Sequence, residues 1–123
     1  MITGRVSTGG EAVIGLTVRG PEGNSQEIVA MVDTGFNGWL TLSSDLVGIL
    51  RLPFRGSGRA TLADGSETVF DTYEGTVIWD GQPRPVSVHL SDSDPLVGMG
   101  LLYGCELTIE VVEGGGVTIK ELF

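Results

Sequence analysis

Only one cysteine and one histidine occur in the 123-residue chain. Cys105 has no partner for an intrachain disulfide, which suits a reducing compartment and sets the expectation of a cytoplasmic protein. A lone histidine cannot supply a histidine-based metal site or a Ser-His-Asp triad within one subunit. Alternation in PVSVHLS, residues 85–91, places His89 on the solvent side of a strand. Basic residues are scarce too: 7 against 16 acidic ones give a formal net charge of −9. Nucleic acid and anionic membrane surfaces both demand basic patches, so neither is an expected partner. No apolar run approaches the length that spans a bilayer, and no charged-then-apolar leader is expected ahead of the domain.

Glycine, by contrast, is abundant at 20 residues, apolar runs are short, and turn signals recur every few positions. That pattern means mostly β structure in one domain, residues 1–123, built on a single core. Strands are expected at 3–7, 12–19, 27–32, 39–42, 59–62, 68–73, 76–79 and 86–90. A further apolar segment covers 96–103, and a hairpin of 106–112 and 117–121 turns on Gly114-Gly115-Gly116. Ala63-Asp64-Gly65-Ser66 separates two of the strands, and Asp-Gly in such a place is a hairpin signal. SSDLVGILRLPF, 43–54, reads as a short helix, capped by Ser43 or Ser44, favoured by Asp45 and ended by Pro53. Trp39 and Trp79 read as core or wall residues.

The segment EIVAMVDTGFNGWLTLS, 27–43, carries the chemistry. Ile28 to Val32 is a continuous apolar run, which reads as a strand covered on both faces, and it ends on Asp33-Thr34-Gly35. An ionised carboxylate in that place is costly unless donors or a second acid surround it. The plain alternative is a turn, with Asp33 bonding forward to the backbone and Gly35 at positive φ. Three letters do not decide between the two.

Two later segments do bear on it: LADGSE, 62–67, and DPLVGMGLL, 94–102. In this order and spacing the three resemble the retroviral-type aspartic proteases, the retropepsins, and among them the small bacterial and archaeal members. The resemblance spans nearly the whole chain. It implies a mainly β, acid-protease fold: a closed, barrel-like half with one or two short helices, completed as a homodimer. It implies that Asp33, Thr34 and Gly35 form the catalytic loop, one aspartate coming from each subunit. Thr34 would bond across to the other subunit's loop, and the Gly35 amide would donate to the carboxylates. ATLADGSETV, 60–69, would be the flap that closes over peptide, with Ala63, Asp64, Gly65 and Ser66 at its tip. Leu96, Val97 and Gly98 match the apolar-Gly turn that supports the loop. With Phe36 and Asn37, these flap and turn residues are the expected substrate contacts.

The pattern also departs from the family. Asn37 and Met99 stand where retroviral members commonly carry an acid and a basic residue that pair. Gly100 replaces a common Asp or Asn, and Phe36 a small residue. The flap tip lacks a glycine run, and the terminal hairpin extends beyond Leu101-Leu102.

Aspartic peptidases need two carboxylates sharing a proton around one water, and no metal, thiol or cofactor. Neither Asp64-Gly65, Asp80-Gly81 nor Asp94-Pro95 can serve as a second Asp-Thr-Gly. The second acid must therefore come from a second copy of the chain. The expectation is a homodimeric aspartic endopeptidase acting on peptide or protein. A peptide-binding or assembly module on the same fold is the competing reading.

Overall fold

Alternation of inward and outward side chains builds the strands. In β2 (Ala12–Arg19), Ile14, Leu16 and Val18 are buried, while Gly15 and Arg19 face out. In β10 (Gly116–Glu121), Val117 and Ile119 do the same. The computed structural model describes residues 1–123. The other elements are β1 (Ile2–Val6), β3 (Ser25–Val32), β4 (Leu40–Leu42), α1 (Ser44–Leu50), β5 (Phe54–Thr61), β6 (Glu67–Trp79), β7 (Gln82–Leu90), β8 (Leu96–Val97), α2 (Met99–Leu102) and β9 (Cys105–Ile109). The protein is mainly β, with two short helices. Neither helix is long and apolar enough to cross a membrane.

All strands join one sheet, in the order β5-β6-β7-β4-β8-β3-β2-β1-β10-β9. β6 also pairs with β2, Thr17 opposite Ile78, so the neighbours from β2 through β3, β8, β4, β7 and β6 lead back to β2. A single core of 19 buried apolar residues draws on this circuit, on β1 and β10 and on both helices, Trp79 among them, with Trp39 packed against it. Most pairings are antiparallel. The exceptions are β3 with β8 and β4 with β7. They place the two-residue β8 between β3 and β4, beside the end of the apolar run at 28–32. Thr41 is the polar member of the core, and its hydroxyl accepts from the Leu96 N–H at 2.8 Å, fixing β8 from the other side.

Several expectations change in detail. The strands expected at 68–73 and 76–79 are one, because Gly75 passes flat beneath Leu52 and Val88 and lets β6 run through. β5 starts at Phe54 rather than 59, with an irregularity between Phe54 and Gly56. α1 is capped by Ser43, whose Oγ accepts from the Leu46 N–H at 3.3 Å. It stops at Arg51, not Pro53: Arg51 turns left-handed at φ 52° and its N–H closes on the Gly48 and Val47 carbonyls. β3 is not covered on both faces either. Ala30 is buried, but Val29 points outward and is 66% exposed. The segment 96–103 splits into β8 and α2, with Leu101 and Leu102 turned into the core.

Candidate active site

β3 delivers Asp33 to the top of the sheet. Past Val32 the pairing with β8 continues for one bond, the Asp33 N–H donating to the Val97 carbonyl at 2.9 Å. The chain then turns. The Gly35 N–H donates to Asp33 Oδ1 at 2.9 Å, and the Phe36 N–H to the Asp33 carbonyl at 3.2 Å. The forward bond expected of a plain turn is therefore present, although Gly35 does not adopt a left-handed φ. Asp33 is half-buried, with Thr34, Gly35 and Asn37 exposed beside it.

The segment 98–100 holds this loop from below by its backbone. N–H groups of Gly98, Met99 and Gly100 donate to the carbonyls of Trp39, Phe36 and Gly38 at 3.0, 2.8 and 2.9 Å. Such close approach requires glycine. A Cβ on Gly98 would sit 2.7 Å from the Phe36 oxygen, and one on Gly100 2.7 Å from the Trp39 ring. Of the apolar-Gly turn, Val97 and Gly98 are buried behind the loop and Leu96 is partly buried. None of the three lines the opening described next.

Next to Asp33 opens a cleft of about 500 Å³. The loop contributes Gly35, Phe36, Asn37 and Gly38. β5 contributes Arg59, Ala60 and Thr61, β6 contributes Phe70, and β7 contributes His89. The β5–β6 hairpin thus forms one wall. Its tip holds Ala63, Asp64, Gly65 and Ser66, all exposed and outside the cleft lining. The turn is closed by the Leu62 N–H on the Ser66 carbonyl (2.7 Å) and the Gly65 N–H on the Leu62 carbonyl (2.9 Å), with Gly65 at φ 85°. Hydrogen bonds from the Ser66 hydroxyl and N–H keep the Asp64 carboxyl below its ordinary range.

Sequence reasoning missed Phe70, His89 and Arg59, while Ala60 and Thr61 fall in the 60–69 segment read as the flap. His89 corrects an expectation. Alternation does put it on the face opposite the buried Val86 and Val88. That face is covered, though, by Phe36 from the loop and Phe70 from the hairpin, whose rings stand edge-on to the imidazole at 5.4 and 4.6 Å. Burial lowers the His89 pKa from 6.5. The hairpin register was the available signal: with Gly58 opposite Phe70, a strand-paired aromatic next to a glycine directs the ring across the partner strand. Elsewhere, no group of three or more His, Cys, Asp or Glu side chains converges as metal ligands would.

A crystal structure of a retropepsin-like aspartic protease from Rickettsia conorii aligns over 97% of this chain and 90% of that one, with a TM-score of 0.60. The fold is retropepsin-like. Sequence identity across the alignment is 19%, so the likeness speaks for the retropepsin-like fold alone. No protein-family model matches the chain. No curated protein matches it either.

Proposed function

We propose that the chain is an aspartic endopeptidase whose working unit is a homodimer, with Asp33 of each copy contributing one carboxylate to a shared site. The observation that carries this reading is the setting of Asp33: half-buried, Oδ1 held by the Gly35 N–H, its loop fastened by 97–100 and lining a cleft through Gly35 to Gly38. An aspartate merely closing a turn has no need of that cleft or of the glycines packed behind it. Thr34, exposed and without a partner inside the chain, is free to bond across to the loop of the second copy. Closure of the strand circuit into a barrel-like half, with the edge of β9 left for pairing between copies, belongs to the same proposal.

Two carboxylates a few ångströms apart cannot both be ionised, so the pair holds one proton. The ionised Asp33 accepts a proton from the water between them as the water oxygen attacks the peptide carbonyl carbon. The protonated Asp33 of the other copy donates to the carbonyl oxygen, and a tetrahedral diol results. Return of a proton to the amide nitrogen lets the C–N bond break, releasing a carboxylic acid and an amine and leaving one proton on the pair. An extended peptide lying between the Asp33 loop and the β5–β6 hairpin meets Phe36, Asn37 and Ala60 along the cleft. Reducing, cytoplasmic surroundings suit the single Cys105.

A peptide-binding or assembly module is the second reading. It is favoured by Asn37 and Met99, which leave the loop without the ion pair found in retroviral members. Incubating the purified protein with a degenerate peptide library separates the two. Cleavage that Asp33→Asn reduces by several orders of magnitude, with fold retained, supports the peptidase. Retained cleavage within tenfold of the parent refutes it, and peptide binding without cleavage supports the module.

A further inference from the structure

The β5–β6 hairpin is poorly anchored except at one place. β5 is an edge strand paired with β6 alone, and every residue from 61 to 69 is exposed. The first inward-turned side chain of the returning strand is Phe70. Its ring lies across Gly58, where a Cβ would come within 2.6 Å, and meets the His89 imidazole edge-on at a centroid distance of 4.6 Å. The same imidazole also meets Phe36 of the Asp33 loop, at 5.4 Å between centroids. Phe36 and His89 both press on Gly38, where a Cβ would lie 2.6 Å from His89 Cε1. One imidazole is thus shared between the hairpin and the loop that carries Asp33.

We propose that His89 is a positioning residue: its neutral imidazole holds the β5–β6 hairpin against the Asp33 loop, and its protonation lets the hairpin go.

Neutral imidazole suits the place, because two phenyl rings and glycine backbone offer it no charge to answer. Imidazolium does not. Nδ1 is buried and meets no partner, so a proton there is an N–H without an acceptor, and the added charge loses hydration. The surrounding elements offer no compensation. From β5, Arg59 faces the cleft, itself a cation and paired with Glu67 at 3.7 Å. From β6, the Asp71 carboxylate accepts from the Ser57 hydroxyl at 2.9 Å, and the Thr72 hydroxyl bonds the Gly56 carbonyl. From β4, the Thr41 hydroxyl is taken by Leu96, and on the loop Asp33 Oδ1 is taken by Gly35. No ion pair in the chain includes the imidazole.

The sign follows from linkage. Burial lowers the pKa from 6.5 with the hairpin seated, and release restores the ordinary value. Seating is therefore strongest above pH 6.5 and weakens as pH falls toward the lowered value. Uptake of one proton makes the released fraction grow by about tenfold per pH unit across that window, and no further below it. Near neutrality the hairpin stays seated as one wall of the cleft, and acid lets it swing away.

The inference deepens the reading of this cleft but rests on ring geometry, and its test does not read cleavage. Because His89 is the sole histidine, its imidazole gives one unambiguous NMR titration in the parent protein. Alongside, hydrogen exchange of residues 57–70 is followed between pH 7.5 and 5, corrected for intrinsic rates and referenced to the β9–β10 hairpin. Expected are a midpoint below 6.5, hairpin opening that rises about tenfold per unit within the window, a flat response in His89→Phe, and a midpoint returning toward 6.5 in Phe70→Leu. A parent midpoint at or above 6.5, or a hairpin that tracks the reference over the whole range, overturns the proposal. These parent measurements decide it even if a variant fails to fold. A chain that cleaves nothing can pass this test, and a working peptidase can fail it.

Discussion

Gly98→Ala is the substitution by which the close packing beneath Asp33 is best measured. The added methyl would lie 2.5 Å from the Phe36 ring and 2.7 Å from the Phe36 carbonyl oxygen, closer still to the Gly38 carbonyl. A flexible side chain can yield, but two backbone carbonyls cannot without moving the Asp33 loop. Overpacking of this kind costs about 1–3 kcal/mol. Displacing the loop also lengthens the bonds from Met99 and Gly100 to those same carbonyls, each contributing about 1 kcal/mol. The sum is on the order of 3 kcal/mol, or roughly 10 °C in Tm for a domain of this size. Gly48→Ala is the control: Gly48 lies inside α1 with nothing near its Cβ position, so alanine there should stabilise by about 0.5–1 kcal/mol. Thermal unfolding followed by circular dichroism, at one fixed protein concentration, reads both. If Gly98→Ala melts within about 2 °C of the parent, the loop is not seated on 98–100 as described, and the argument for a rigid Asp33 fails.

Thr41→Val keeps shape but removes the acceptor of the Leu96 N–H, and leaving that buried donor unpaired should cost about 1–3 kcal/mol by denaturant titration; a neutral result would mean that another group satisfies it. Specific activity should fall on dilution in step with the dimer fraction from sedimentation, since each proposed site needs two chains, and activity unchanged in the monomer range would refute a shared site. Hydrogen exchange at 62–68 should slow severalfold when a statine-type inhibitor binds, because these residues are exposed even with the hairpin seated and gain contacts only from a bound ligand; equal exchange with and without inhibitor would place the lid elsewhere.

Local signals carried well wherever one residue's chemistry suffices. The hairpin at Asp64-Gly65, the Ser43 cap and the boundaries of β2 are of this kind. The Asp33 loop was legible as a candidate because an apolar run ending on an acid, with two companion segments, is unusual. The cleft was not, since Phe70 and His89 meet only through the pairing of β6 with β7, a long-range fact that period-two alternation does not encode. Alternation gave the side of β7 on which His89 lies but could not say that aromatic rings from two other elements cover that side. Similarly, Gly75 reads as a break in a strand until Leu52 and Val88 are placed above it.

The insertion of β8 between β3 and β4 has a consequence for how the protein comes into being. β3, the Asp33 loop and β4 are synthesised before the backbone groups that fix them, which belong to 96–100, about half of the 123 residues later. Loop closure over such a span is slow to be rewarded, so this contact belongs to the late steps of folding. A nascent chain halted before β8 therefore carries the acid without the frame that aims it. On the proposed reading, Asp33 is aimed only once 96–100 has been made and docked, so a peptidase built this way would spare copies halted before that point.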